Sequence, residues 1–323
     1  MRGVTQMARS FEIGLLAVLG LLWGIPYALN KIALATISPV TLTATRLVLA
    51  AALLWVVVFF RRRTMPARRD FLGPIFVQGC ITCAIPYTLI AFGQQSVDSA
   101  LTAILNSTTP VFVCFISLLW TRHEPLTVWR LTGVTMGLAG VVLIAGASAL
   151  GGLGRETVGQ AAIIVATFST AVSAIYGRRF AAVAPEITAA GMLTAAAIVL
   201  VPLSFLLEAP LSSAPSVASL TALLVNAIVA TALGFVLYFR LIRTLGSMGV
   251  ASVGYLKPAV GVLIGCSVLG ESLTWTMGVG LIAILIGVAA INETGSLSRL
   301  RPGRLTSTST GVREESAEAA THA

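Results

Sequence analysis

The chain has 323 residues, of which 57% are hydrophobic and only 10% are charged. A water-soluble domain carries about 25% charged residues, so this composition excludes a protein whose whole surface faces water. The formal net charge is +9, which in a soluble protein suggests nucleic-acid binding. Here the positive residues are concentrated in alternate connections between apolar segments, which is typical of a membrane protein. No nucleic-acid partner is therefore expected.

Long apolar segments recur along the chain, and most approach the ~20 residues that a helix needs to cross a bilayer. Residues 1–10 precede the first segment, and residues 293–323, which are poor in apolar side chains, are predicted to be a disordered tail. The sequence therefore predicts an all-α integral membrane protein with ten transmembrane helices. They lie at about residues 11–30, 40–60, 71–92, 99–120, 127–146, 159–176, 187–207, 216–239, 249–269 and 274–292.

Lysine and arginine are concentrated in alternate connections, which predicts the orientation of the chain. The connections on the side of the N-terminus hold Arg61–Arg63, Arg122, Arg178, Arg179, Arg240 and Arg243, among others. The opposite connections hold little beyond Lys31 and Arg155. Positively charged loops face the cytoplasm, so we expect a multi-pass protein of the cell membrane with both termini cytoplasmic.

Two stretches, residues 98–144 and 246–291, have similar sequence patterns. A shift of 148 residues pairs Pro110 with Pro258, and a shift of 147 pairs Gly133 with Gly280. The sequence therefore predicts an internal duplication, with five spans in residues 11–146 and five in 159–292. Because five is odd, the second unit must enter the membrane from the opposite side. Such an inverted repeat is typical of transporters that expose one central site to either side in turn.

Three sets of residues resemble the EamA-type family of the drug/metabolite transporter superfamily. They are Leu21-Leu22-Trp23-Gly24 with Lys31 and Arg46, the repeated prolines Pro110 and Pro258, and the corner glutamates Glu124 and Glu271, each followed by leucine-threonine. The resemblance covers about residues 11–292. It implies ten spans in two inverted five-helix repeats around a central cavity, with efflux or exchange of small metabolites. The chain departs from the common pattern at Pro26, Tyr27 and Lys257.

Lys257 lies eight residues into the ninth predicted span, about 12 Å from the cytoplasmic edge at 1.5 Å per residue. A charge at that depth costs roughly 3 kcal/mol on insertion scales, so Lys257 should face a cavity or a partner. We expect it to meet the anionic part of a substrate. The alternatives are a bond to carbonyls freed by Pro258 and snorkelling toward the membrane surface.

Four other charges are candidates for gating or structural roles. Arg46 and Lys31 lie near the outer ends of their spans, where they could form a gate, anchor at the interface or, for Arg46, bind Glu271. Glu124 and Glu271 precede helix starts, where they could cap the helix or latch a gate. No carboxylate is predicted at mid-membrane depth, which favours facilitated or exchange transport over proton coupling.

Polar and aromatic residues within the spans are candidates for substrate contact, with packing as the alternative for each. The substrate-binding candidates beside Lys257 are Trp23, Tyr27, Gln78, Tyr87, Asn106 and Tyr255. Pro26, Pro110 and Pro258 are candidate hinges, because proline interrupts helical hydrogen bonding. Glycine pairs such as Gly133-x-x-x-Gly137 predict close helix approach.

These features favour a small-metabolite transporter, an exporter or exchanger of amino acids or related amphipathic metabolites that works by alternating access. A lipid-linked substrate flippase of the same superfamily is the alternative. An intramembrane enzyme would need a nucleophile, base or metal set at membrane depth, so the chain is not expected to be an enzyme. No cofactor is expected. No metal site is expected either, since the two histidines lie apart, His123 in a predicted loop and His322 in the predicted tail. The sequence leaves a homodimer open.

Overall fold

The computed structural model describes residues 2–64, 66, 68–97, 99–121, 127–150, 156–208, 210, 214–268 and 275–297. Within those ranges the protein is helical and shows no strand. The helices of the first half are α1 (Arg2–Gly24), α2 (Pro26–Ala33), α3 (Pro39–Phe60), α4 (Arg68–Gly79), α5 (Ile85–Gly93), α6 (Ser99–Asn106), α7 (Thr109–Ile116) and α8 (Val128–Leu150). Those of the second half are α9 (Thr157–Tyr176), α10 (Pro185–Leu207), α11 (Val217–Val225), α12 (Gly234–Ala251), α13 (Val253–Val268) and α14 (Trp275–Leu297).

Five helical stretches are long and apolar enough to cross a membrane, which confirms the all-α membrane class. They are Pro39–Phe60, Asp70–Gly93, Thr157–Phe180, Pro185–Leu207 and Val217–Ala251. Shorter apolar helices cover Ser10–Gly24, Ile104–Leu119, Val128–Leu143 and Gly278–Asn292. The described residues thus give five full-length spans rather than the ten that hydropathy predicts.

Helix breaks explain part of this difference. The first predicted span is divided at Ile25, where α1 ends and Pro26 begins α2. The fourth is divided at residues 107–108, just before Pro110 in the first turn of α7. Proline has no N–H to donate, so it is best tolerated at a helix start. Pro258 instead lies inside α13, and the nearby change of direction occurs at Gly246, whose φ of 78° favours glycine.

Helices α3 and α10 pack side by side and run antiparallel. Glu208, which follows α10, accepts hydrogen bonds from the backbone N–H groups of Val40 (3.0 Å) and Thr41 (2.8 Å) at the start of α3. At the other end, Arg61 after α3 forms an ion pair of 2.8 Å with Glu186 in the first turn of α10. Polar contacts therefore join the two helices at both ends.

Helices α8 and α14 approach each other through their glycines. A Cβ built on Gly133 would lie 2.7 Å from the carbonyl oxygen of Gly287, and one on Gly140 would lie 2.6 Å from that of Gly280. Gly280 and Gly287 are the repeat partners of Gly133 and Gly140. The contact is therefore reciprocal, as in an interface between two copies related by a twofold axis.

Two π-helical turns occupy corresponding places in the halves. One lies at Cys80–Ala84 between α4 and α5, and the other at Asn226–Leu233 between α11 and α12. The shift of 147 residues that pairs Gly133 with Gly280 places the first inside the second. Such turns are frequent at functional sites because they free backbone carbonyls from the regular i to i−4 pattern.

Candidate functional site

A cavity of about 110 Å³ lies between helices of both halves of the chain. The first half supplies side chains from α1, α2, α3, α5 and α6, and the second half supplies them from α9, α12 and α13. The wall combines aromatic rings, hydroxyl and amide groups, and two cations. A mostly apolar pocket with a few placed polar groups is suited to a small organic molecule.

Lys257 lies against the aromatic part of this wall. Its Nζ is 5.6 Å from the centre of the Trp23 ring, within the range of a cation–π contact. The indole N–H of Trp23 donates to the carbonyl of Ala230 in the second π-helical turn, at 2.9 Å. The Trp23 ring also packs against Phe235 and Tyr238, with centroids 5.5 and 5.3 Å away. Trp23 is therefore held in position beside the amine.

Arg46 is the second cation, and it is buried, with 7% of the residue exposed. Its Nε donates to the hydroxyl of Thr231, and its guanidinium carbon lies 4.8 Å from the centre of the Tyr87 ring. The Thr231 hydroxyl donates in turn to the carbonyl of Asn226 at 2.9 Å. Neutral groups thus position Arg46, and the π-helical turn holds both Arg46 and Trp23.

The structure brings together several of the predicted site residues and separates others. Lys257, Trp23, Tyr87, Asn106, Arg46 and Pro26 all line the cavity. Gln78 lies outside the lining, where its Nε2 donates to the Thr82 hydroxyl (2.9 Å) and to the Ser173 carbonyl (3.2 Å). These bonds make Gln78 part of the contact between α4 and α9.

Tyr255 also lies outside the lining. It is fully buried, its hydroxyl donates to the carbonyl of Val134 in α8 at 3.1 Å, and its ring fills the space beside Gly137. Tyr255 therefore packs α13 against α8. The side chains of Tyr27 and Lys31 fall outside the described residues, as do Glu124 and Glu271 entirely.

Sequence reasoning missed several residues of the wall. Tyr238 lines the cavity and is 4% exposed. Thr43 lines it together with Arg46, and Thr170 together with Ser173. Residues three apart lie on one face of a helix, so a hydroxyl three positions from another polar residue was the available signal.

Comparison with known proteins identifies the family. The family model described as EamA-like transporter family matches residues 10–146 and 157–293, so both halves match. The transporter YoaV of Bacillus subtilis is 24% identical over 277 residues, covering 85% of this chain and 94% of YoaV. The inner membrane transporter YedA of Escherichia coli K12 is 26% identical over 279 residues, covering 84% of this chain and 89% of YedA.

A solved structure has a similar fold. It superposes with a TM-score of 0.73 at 19% identity, covering 88% of this chain and 99% of that one. The relatives named above are transporters rather than enzymes. With the family match over both halves and the apolar helices around a cavity lined by aromatic and polar side chains, the chain belongs to the EamA-like transporter family and is a membrane transporter.

Proposed function

We propose that the protein moves small amphipathic metabolites, amino acids or their relatives, across the cell membrane as an exporter or exchanger. The observation that carries this proposal is the cavity between the two halves, where Arg46 and Lys257 face a wall of aromatic rings. Cations at this depth are costly unless they face water or a polar partner. An amphipathic molecule with an anionic group offers that partner, and its apolar part matches the rings.

The proposed architecture is ten membrane-spanning helices in two inverted five-helix units, residues 11–146 and 159–292. The reciprocal glycine contact between α8 and α14 and the antiparallel pair α3 and α10 support it. With this arrangement both termini lie in the cytoplasm. The name of YedA, an inner membrane transporter, supports the cell membrane as the location.

Alternating access is the proposed mechanism. Asn30 of α2 and Leu34, which follows α2, line the cavity, as does Leu42 at the start of α3, so the cavity extends toward the end of the bundle where α2 meets α3. At the opposite end, Glu12 of α1 forms an ion pair with Arg240 of α12. A central site whose helices are joined by an ion pair at one end is suited to a cycle in which the two ends open in turn.

Several residues keep proposed roles in this cycle. Pro26 and Pro110 begin helices beside the cavity and could act as hinges, with Pro258 in α13 as the third. Arg46 is proposed as a substrate contact as well as a gating charge. Lys31, Glu124 and Glu271 are proposed as gate or capping charges, as the sequence predicts.

Uptake by purified protein in liposomes tests the function. A pool of labelled cytoplasmic metabolites, amino acids and their deaminated relatives included, is offered to protein-containing and protein-free liposomes preloaded with the unlabelled pool. We expect exchange of at least one pool member only where protein is present. Equal accumulation in both preparations for every pool member would contradict the proposal.

A further inference from the structure

We infer that the cavity selects organic anions that carry an apolar or aromatic body and no ammonium group, in preference to zwitterionic amino acids. The inference rests on the proposed function and narrows its substrate class. Three features of the described residues support it: two cations held by neutral groups, aromatic faces that those cations already cover, and carboxylates that are engaged or exposed elsewhere.

The cations provide positive charge that no acid of the described chain neutralises. Lys257 forms no ion pair within the described residues, and its contact is with the face of Trp23. Arg46 is bonded to the hydroxyl of Thr231 and lies over Tyr87. Both cations line one cavity, so an anion that enters it meets two positive groups. Opposite charges attract strongly where water is scarce.

An ammonium group would enter against the same two charges. Aromatic faces can bind ammonium groups, but Lys257 already covers Trp23 at 5.6 Å and Arg46 covers Tyr87 at 4.8 Å. The other described polar groups of the wall are neutral, such as the amides of Asn30 and Asn106. A zwitterion therefore gains at its carboxylate and is repelled at its amine.

None of the described carboxylates is among the residues that line the cavity. Glu12 pairs with Arg240, Glu186 pairs with Arg61, and Glu208 caps α3. Asp70 and Glu156 are exposed at helix starts. Among the described lining residues there is accordingly no acid to receive a substrate amine.

The rest of the wall indicates the body of the substrate. Phe235 and Tyr238 pack on Trp23, and Ile90 adds an aliphatic surface near Tyr87. Rings and aliphatic side chains of this kind bind the apolar part of a ligand, while the few polar groups fix its orientation. The geometry is suited to a carboxylate attached to an aromatic or branched apolar group.

Three probes of similar size test the inference on the wild-type protein. Phenyllactate is an anion, phenylalanine is a zwitterion and phenylethylamine is a cation, and all three carry one phenyl ring. Each is titrated as a competitor of exchange in liposomes, against the pool member with the fastest exchange. We expect half-inhibition by phenyllactate at a concentration at least about tenfold lower than by phenylalanine, because only the ammonium group of phenylalanine is repelled by the two cations. Phenylethylamine should compete least.

Charge removal gives a second test. In Lys257→Met, the concentration of phenyllactate that gives half-inhibition should rise about tenfold. The corresponding concentration of phenylalanine should change by less than about threefold. Lys257→Arg should retain most of the preference. Arg243→Met removes an exposed cation outside the lining and should leave the ratio between the two probes unchanged.

The outcomes separate this inference from the proposed function. Equal or better competition by phenylalanine overturns the inference while exchange itself continues, and so does failure of all three probes to compete. Absence of exchange for every pool member overturns the proposed function. If Lys257→Met does not fold, the wild-type titration alone decides.

Discussion

At the residue scale, the most informative side chain is Arg46, a buried cation held by neutral groups. Its Nε donates to the hydroxyl of Thr231, which is 185 positions away in the sequence, and its guanidinium carbon lies over the Tyr87 ring. A carboxylate partner would neutralise the charge, whereas a hydroxyl and a ring orient the guanidinium and leave its charge available. Thr231 is therefore a positioning residue for the cation that faces the cavity.

We expect Thr231→Val to raise the apparent KM for substrate by about tenfold with a smaller change in the maximal rate. The hydroxyl supplies a hydrogen bond to a charged group, and such bonds contribute about 1.5–3 kcal/mol. Thr231→Ser keeps the hydroxyl and should restore the KM. The measurement is the concentration dependence of exchange in liposomes.

Thr221→Val is the matched control, since the Thr221 hydroxyl is exposed and donates only to the Val217 carbonyl of its own helix. It should leave the KM within about twofold of wild type, because surface substitutions of this kind have small effects. A KM for Thr231→Val equal to that of Thr221→Val would show that Thr231 does not position Arg46.

Some of the site could be predicted at this scale and some could not. The depth of Lys257 and the rarity of charges in the spans pointed to a cavity residue, because burying a charge in lipid is costly. The interior packing of Tyr255 left no local signal, since an apolar helix presents aromatic residues to neighbours and cavities alike. The bond between Arg46 and Thr231 depends on tertiary contacts that hydropathy does not record.

At the element scale, the helix pairs that join the two halves are fixed by small residues and by end contacts. Gly287 of α14 is the clearest case, because an added Cβ would lie 2.7 Å from both the Gly133 carbonyl oxygen and the Gly137 nitrogen. Sequence spacing predicted close approach at Gly133 and Gly137. It did not identify the partner helix, because glycine spacing describes one surface and not what covers it.

We expect Gly287→Ala to destabilise the protein by about 1–3 kcal/mol, since the backbone atoms of α8 would have to move to admit a methyl group. Gly278→Ala in the same helix is the control, because a Cβ there meets no atom within 4 Å. Thermal unfolding in detergent should show a lower midpoint for Gly287→Ala only. Equal midpoints for the two variants would contradict the close contact between α8 and α14.

We also expect Glu208→Ala to destabilise the protein by about 1 kcal/mol, the usual contribution of a helix cap. Its carboxylate accepts hydrogen bonds from the N–H groups of Val40 and Thr41 at the start of α3 and from the Thr41 hydroxyl. Glu156→Ala is the matched control, because Glu156 precedes α9 without a side-chain capping bond. The same unfolding measurement applies, and a midpoint for Glu208→Ala as high as that for Glu156→Ala would exclude the capping role.

At the scale of the whole molecule, the membrane class, the duplication and the family could be predicted because each leaves a repeated pattern in the sequence. Hydropathy marks the apolar helices, and the shift of 147 residues marks the two halves. The interruptions inside the spans were harder to place. A π-helical turn such as Asn226–Leu233 changes backbone bonding without changing hydropathy.

The two ends of the cavity region differ, and this difference makes alternating access testable. Glu12 pairs with Arg240 at 2.8 Å and accepts a bond from the Thr244 hydroxyl at 3.1 Å, while Arg240 lies over Phe11. Trp23, which lines the cavity, follows Glu12 by 11 residues in α1 and is therefore about 16 Å from it along the helix axis, at 1.5 Å per residue. These contacts join α1 to α12 at the end remote from α2.

We expect Glu12→Gln to shift the protein toward a state open at the end where α1 begins, because it weakens a contact that joins α1 to α12 at that end. The probe is Thr170→Cys in the cavity wall, with the native cysteines replaced. Labelling by a membrane-impermeant thiol reagent from that end should accelerate about two- to fivefold, the range expected for a partly exposed ion pair. Exchanging the charges, Glu12→Arg with Arg240→Glu, should return the rate toward wild type, and Asp70→Asn, which removes an exposed carboxylate outside the cavity, should not change it. A labelling rate in Glu12→Gln equal to that in Asp70→Asn would mean that this ion pair does not hold the end closed.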